Sequence, residues 1–219
     1  MTGQTLLRIY RRLLDNYGPQ HWWPAQEPFE VMVGAILTQS AAWANVEKAI
    51  TNLKAAGALS PEALRSLPLG EIAALTYPSG YYNAKAHKLK SLAAYLGEYH
   101  DDLDRVFGGD TRRARQELLD VHGIGEETAD SILLYAAERP VFVIDAYTRR
   151  IMGRIGLAPK KDRYSDCQRL FMDNLPADAG LFSEYHALLV RLGKEVCRTQ
   201  PLCHQCCLGG DICRFCEAS

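Results

Sequence analysis

Three features of this 219-residue chain predict an all-α fold. Apolar residues recur at helical spacing almost throughout, helix-starting and helix-stopping residues punctuate that pattern, and only one run, Val141 to Ile144, has strand-like composition. That run is four residues long and has no second run to pair with, so it reads as a buried approach to a helix. No internal repeat or low-complexity segment breaks the pattern.

The N-terminal stretch MTGQTLLRIYRRLLDNYG carries its arginines inside an amphipathic helical pattern. It lacks the uninterrupted apolar region and small-residue cleavage site of a secretory signal, so a cytoplasmic, nucleoid-associated protein is expected. Pro28 suits a first helical turn, after which Phe29, Val33, Ile36 and Leu37 fall at helical spacing. Gly57 stops the following helix, and Ser60-Pro61-Glu62 reads as the cap and first turn of the next. The turn Pro78-Ser79-Gly80 precedes a long amphipathic segment from Tyr81 to Tyr99. Leu118 and Leu119 open one apolar stripe, and Ile132, Leu133 and Leu134 continue another. Phe182 to Val196 is a late helix with Leu188, Leu189 and Leu192 turned inward.

An apolar content of 47% permits a proper core, and no run of about eighteen apolar residues offers a membrane span. A net charge of −1 argues against a protein that coats nucleic acid nonspecifically. It leaves room for a basic face balanced by an acidic back. Candidates for such a face, as against ordinary solvated charge, are Lys85, Lys88, Lys90, Arg112, Arg113, Arg115, Arg149, Arg150 and Arg154. Six of the seven cysteines lie between Cys197 and Cys216. Dense cysteines without an export signal favour metal over disulfides.

The most pointed stretch runs from Leu118 to Ile151. Gly123-Ile124-Gly125 makes a tight turn between two helical patterns, leaving backbone N–H groups unobstructed at the positive end of a helix, where an anion fits. Asp145 opens another helix twenty positions after Gly125. Taken singly, the glycines make a plain helix connection and the aspartate a good N-cap. Together they resemble the helix-hairpin-helix and Gly/Pro…Asp signature of the endonuclease III superfamily of base-excision DNA glycosylases. The resemblance extends from Trp22 to Cys213.

The resemblance implies two helical domains flanking a DNA-binding cleft. Residues 29 to 139 would form one domain, ending in the hairpin; residues 1 to 28 plus 140 to 219 would form the other and hold an iron–sulfur cluster loop. A monomer acting on double-stranded DNA with a damaged base is expected. Gly123, Gly125 and Thr128 would contact the DNA backbone, joined by Lys85, Arg149 and Arg198, with Lys194 just before the cluster loop. Asp145 would stabilise the positive charge that develops on the sugar and help position an attacking water. Bifunctional members of the superfamily carry a lysine two residues after the second hairpin glycine, and its amine forms a Schiff base with the sugar. Glu127 holds that position here, so a monofunctional enzyme without AP lyase activity is expected. Glu127 either complements the helix dipole or reaches the base pocket.

The series Cys197-x5-Cys203-x2-Cys206-x6-Cys213 is similar to the superfamily's loop for a 4Fe–4S cluster, whose usual gaps are x6, x2 and x5. The departure makes Cys216 an alternative fourth ligand, and Cys207 is read as no ligand. Structural zinc is the competing occupant, because C-x2-C is equally a zinc spacing.

Trp22 and Trp23 in His21-Trp22-Trp23-Pro24, and Trp43 after Leu37-Thr38-Gln39-Ser40, are read either as core or as a base pocket. With Glu127 in the lysine position, the pattern is most similar to the endonuclease III-like 3-methyladenine DNA glycosylases. An N3-methylated adenine is cationic, and stacking on tryptophan faces is worth up to about 2 kcal/mol when desolvated. Gln39 and Ser40 match the region that fills the gap left by an extruded base. The alternatives are a pyrimidine-lesion or mismatch glycosylase with lyase activity, or a noncatalytic DNA-binding protein.

Overall fold

The computed structural model describes residues 2–161 and 163–215. Among them the helices in chain order are α1 (Thr2–Tyr17), α2 (Pro28–Leu37), α3 (Trp43–Ala55), α4 (Pro61–Ser66), α5 (Leu69–Thr76), α6 (Tyr82–Glu98), α7 (Leu103–Phe107), α8 (Thr111–Asp120), α9 (Glu126–Tyr135), α10 (Ala146–Ile155), α11 (Tyr164–Met172) and α12 (Ala179–Glu195). The described residues form no sheet, and an isolated bridge joins Gly209 to Cys213. No described helix is long and apolar enough to cross a membrane. The chain divides into two compact units, Ala25–Arg139 and Met1–Pro24 with Pro140–Ser219.

The contiguous unit is built around α2. Every residue from Phe29 to Leu37 is buried, because α3, α6 and α9 all pack against this helix. A helix buried on all sides is a core helix, which goes beyond a single inward face, and its one charged residue, Glu30, pairs with Lys54 at 2.8 Å. Ser60 caps α4 as its sequence predicts, its hydroxyl accepting from the Ala63 amide at 3.1 Å. α4 and α5 then pack on α6. Arg65 fastens α4 to the end of α6 by donating to the Ala93 carbonyl at 2.8 Å and to both Asp101 oxygens at 2.6 Å. Asp102 and Asp110 cap α7 and α8 through main-chain amides.

The discontinuous unit holds α1, α10, α11 and α12, with α10 and α1 both against α12. Leu6, Ile9 and Leu13 form the inward stripe of α1. The run Val141 to Ile144 is buried and belongs to no helix or strand, as its isolation in sequence predicts. Side chains of α11 satisfy its backbone. Gln168 donates to the Phe142 carbonyl at 2.8 Å, and the Tyr164 hydroxyl accepts from the Ile144 amide at 3.2 Å. Phe142 stacks on Phe171 with ring centroids 3.8 Å apart. Tyr185 is fully buried against the same cluster and donates to the Leu6 carbonyl at 2.9 Å.

Candidate functional site

The hairpin consists of α8, the turn Val121 to Gly125, and α9. Arg115 on α8 reaches both oxygens of the fully buried Asp130 on α9, at 2.6 and 3.1 Å, and so fixes the two helices against each other. Gly123 has φ +86°, and a Cβ there would stand 2.2 Å from the Lys88 side chain, so both conformation and space demand glycine. Gly125 has extended backbone, is exposed, and has open space where a Cβ would go. The N-cap, Gly125, has no side chain to cap α9, which suits a helix start that meets an anion.

The loop after α2 is bound to this turn. Gln39 donates from its amide nitrogen to the Gly123 carbonyl at 3.0 Å and to the Thr128 hydroxyl at 2.9 Å, while its carbonyl accepts from the Lys88 ammonium. The side chain expected to project into a base gap is thus folded onto the hairpin. Ser40 beside it is exposed, with φ +54°. Thr128 is buried and occupied by Gln39, which leaves its main-chain amide rather than its hydroxyl for an anion. Glu127 is exposed in the first turn of α9.

Lys85 requires a correction. It is 1% exposed, and its ammonium donates to the carbonyls of Leu37 and Ser79 at 2.8 and 2.6 Å. Burial, with the nearby Lys88 charge, pulls its pKa down to about 8. Its amine holds the ends of α2 and of the turn before α6, so it is not a surface partner for phosphate. At the start of that helix lies a group that sequence reasoning missed. Tyr81 is 74% exposed with φ +47°, an aromatic displayed to solvent beside the Pro78-Ser79-Gly80 turn. Trp43, the first residue of α3, is partly exposed.

In the other unit Asp145 caps α10. Its Oδ1 accepts from the Thr148 amide at 2.7 Å, and its Oδ2 stands 3.7 Å from His186 Nε2 on α12. Burial opposes ionisation of this carboxyl, but the facing imidazole and the Thr148 amide outweigh it and hold the group below the usual aspartate range. His186 also escaped sequence reasoning, since it lies among buried apolar positions of α12 and reads there as core. One turn before it, Ser183 donates to the Trp22 carbonyl at 3.3 Å. α12 thereby joins the Trp22-Trp23 segment to Asp145. The two indole rings lie 5.4 Å apart, both are partly exposed, and Lys194 stands 5.9 Å over the Trp22 ring.

The arginines of α10 divide by task. Arg150 donates to the carbonyls of Gly193 and Cys197, and Arg154 to those of Arg198 and Thr199. These two fasten the cysteine loop to the fold and are not a free basic face. Arg149 points toward the Cys167 sulfur at 3.8 Å. Arg198 is exposed and donates to the Glu195 carbonyl at 2.9 Å.

In the cysteine loop, Arg154 donates to Cys197 Sγ at 3.2 Å, and Cys213 Sγ lies 3.7 Å from the Arg154 carbonyl. Burial raises the Cys206 thiol, and the neighbouring Cys197 and Cys213 add to that rise. Their donor chemistry suits an iron–sulfur cluster. The four-thiolate set is nevertheless incomplete, because Cys203 is joined in a disulfide, and a disulfide sulfur is not a thiolate ligand. Among the described residues, no three His, Cys, Asp or Glu side chains are grouped to hold one metal ion. The Cys207 thiol is pushed up to about 11 by burial and by the neighbouring Cys206, and the Cys207 carbonyl accepts from Arg12 at 3.4 Å. Cys216 lies outside the described residues.

Residues 33–177 match the family model described as HhH-GPD superfamily base excision DNA repair protein. A proposed DNA repair glycosylase of Methanocaldococcus jannaschii is 43% identical over 93% of this chain and 93% of its own length. The crystal structure of H. pylori 3-methyladenine DNA glycosylase bound to 1,N6-ethenoadenine is 27% identical, with a TM-score of 0.74, over 89% of this chain and 97% of that one. A non-covalent endonuclease III–DNA complex shares the fold at a TM-score of 0.82 and 23% identity, over 100% of this chain and 98% of that one. With the glycine turn of the hairpin and the buried Asp145 both inside the matched span, the chain belongs to the HhH-GPD superfamily of base excision DNA repair proteins and is a DNA glycosylase.

Proposed function

We propose that this glycosylase hydrolyses the N-glycosidic bond of alkylated purines such as 3-methyladenine in double-stranded DNA, as a monomer and without AP lyase chemistry. The observation that carries the reading is Asp145, a buried carboxylate held ionised on the helix pair that also anchors Trp22. As the bond between sugar and base breaks, positive charge grows on the sugar, and a fixed anion stabilises it without reorganising. Water adds its oxygen to the anomeric carbon and releases a proton. The cationic methylated base takes the bonding electron pair and leaves neutral, so it needs little help from an acid. Partly exposed indole faces suit such an electron-poor base, and Lys194 at 5.9 Å over the Trp22 ring supports a cation on that face. The related H. pylori enzyme, named for 3-methyladenine, supports the same substrate class.

The hairpin amides, with Gly123 and Gly125, would bind DNA phosphate, which positions the protein without reading sequence. Exposed Tyr81 and Ser40 are the side chains offered to the gap left by an extruded base, in place of Gln39. Once a dithiol reductant has opened the Cys203 disulfide, itself becoming oxidised, the loop would hold a 4Fe–4S cluster through Cys197, Cys203, Cys206 and Cys213. The cluster's task would be structural. Iron and sulfide analysis of anaerobically purified protein checks this, and stoichiometric zinc without iron would overturn it.

Incubation with methylated duplex DNA, followed by chromatography of the released bases, tests the substrate. Free methylated purines are expected. Release of oxidised or mismatched pyrimidines alone would transfer the enzyme to the pyrimidine branch.

A further inference from the structure

His186 and Asp145 face each other inside the protein, 6% and 8% exposed. We infer that His186 is a positioning residue for Asp145, fixing the carboxylate's second oxygen and keeping the group anionic where burial disfavours charge. This deepens the mechanism proposed above and rests on it.

The geometry assigns the two oxygens different partners. Oδ1 is bound by the Thr148 amide at 2.7 Å, which locks the carboxylate to the start of α10. Oδ2 has the imidazole Nε2 at 3.7 Å, an ion-pair separation longer than a hydrogen bond. That contact favours the ionised carboxylate and sets the position of its second oxygen, as the Thr148 amide sets the first.

The imidazole is held where it stands. Phe182, Tyr185 and Leu189 are buried on α12 around it, and the Tyr185 hydroxyl ties that helix to the Leu6 carbonyl. The Asp178 carboxylate caps α12 at the Leu181 amide. Leucine would suit such an apolar surface better than histidine, because a buried polar ring is costly unless it meets a polar group. The other groups around Asp145 do different work. On its own helix are Thr148 and Arg149, the latter directed at Cys167 of α11. Also from α11, the Tyr164 hydroxyl takes the Ile144 amide. From α12 the facing group is His186.

The test compares wild type with His186→Leu and His186→Gln. Carbon-13 NMR of the Asp145 carboxyl is followed against pH, and single-turnover excision is measured on methylated duplex DNA over the same range. In His186→Leu the Asp145 midpoint and the acid limb of excision should both rise, and on the neutral plateau, where the carboxylate is ionised in both proteins, the rate should fall roughly tenfold through lost positioning. In His186→Gln, whose amide can reach the same oxygen, a smaller rise is expected. DNA affinity should stay near that of wild type in both. A purely structural histidine would lower the melting temperature without moving either midpoint, and that result overturns the inference. If His186→Leu does not fold, the Gln variant carries the same comparison. Wild type that releases no methylated base while the NMR midpoint still moves would sink the alkylpurine reading but keep the His186–Asp145 coupling. Efficient excision with an unmoved midpoint would do the reverse.

Discussion

Gln39 donates to the Gly123 carbonyl at 3.0 Å, so the loop after α2 and the turn of the hairpin are one rigid piece. The Lys88 ammonium closes the arrangement from α6, and its stem fills the space beside Gly123. A side chain so engaged has two possible uses: to shape the hairpin, or to swing out and fill a base gap. Gln39→Ala separates them. If it shapes the turn, melting temperature should fall by the equivalent of about 1 kcal/mol, the net worth of one or two hydrogen bonds, and affinity for undamaged duplex should fall too. Unchanged stability with a defect confined to excision from duplex DNA would return Gln39 to the gap.

The two hairpin glycines should respond differently to the same substitution. Gly123→Ala meets both a left-handed φ and the Lys88 stem, so it should destabilise the fold as well as weaken DNA binding. Gly125→Ala meets nothing within the protein, so its melting temperature should match wild type. Its affinity should fall equally for damaged and undamaged duplex, because the cost comes from crowding a phosphate. Calorimetry and titration of labelled duplexes check both halves. Normal binding by Gly125→Ala would remove that turn from the DNA interface.

Much of this was legible in the sequence because the signals are local. The glycine turn, the caps at Ser60 and Asp145, and the isolation of Val141 to Ile144 each depend on a few neighbouring residues. What escaped depends on distant partners. Lys85 reads as a surface cation until Leu37, forty-eight positions away, supplies a carbonyl for it. Arg150 and Arg154 read as a basic stripe until the carbonyls at the end of α12 and just beyond it take them up. His186 looks like a core residue because its helix is apolar around it, and only folding brings Asp145 opposite. The apolar pattern starts that helix at Phe182, whereas Asp178, itself a local signal, caps α12 so that it begins at Ala179, three residues earlier.

Borohydride should trap no covalent adduct with a DNA substrate that the enzyme processes. Glu127 stands where the Schiff-base lysine of bifunctional relatives would be, and it is exposed on α9. Lys85 has the lowered pKa that a nucleophilic amine needs, but two main-chain carbonyls hold it in the interior. Electrophoresis after reduction gives the answer. An adduct mapped by mass spectrometry to Lys85, Lys160 or Lys161 would show that one of these amines reaches the sugar after all.

Tryptophan truncation tests, ring by ring, whether each indole stacks on an extruded base. None of Trp22, Trp23 and Trp43 is buried, so each should tolerate alanine better than a core tryptophan, whose loss costs about 3–5 kcal/mol of stability. A ring that stacks on the flipped base should cost about 1–3 kcal/mol in processing. Trp43→Ala and at least one of Trp22→Ala and Trp23→Ala are expected to show the second effect with a small change in melting temperature. Variants that unfold readily yet turn over normally when cooled would leave the alkylpurine assignment without its aromatic support.

Asp145→Asn should slow base release by about 10²–10³-fold, the range seen when one preorganised charge-stabilising group is removed. DNA affinity should hold or rise, since a negative charge has been taken away. The fold should survive, because asparagine caps a helix as well as aspartate does. The same variant reports the energetics of the buried carboxylate. Its folded pKa lies below the ordinary value, so ionised Asp145 stabilises the fold fully above about pH 4, near the unfolded pKa. That contribution is lost as pH falls through the lower folded value. Urea melts between pH 6 and the acid limit of folding should therefore show wild type losing more stability than Asp145→Asn on acidification, with the difference growing only below the unfolded pKa. Parallel losses would mean that His186 and the Thr148 amide do not hold the carboxylate charged. Wild-type excision rates in the variant would remove Asp145 from the chemistry altogether.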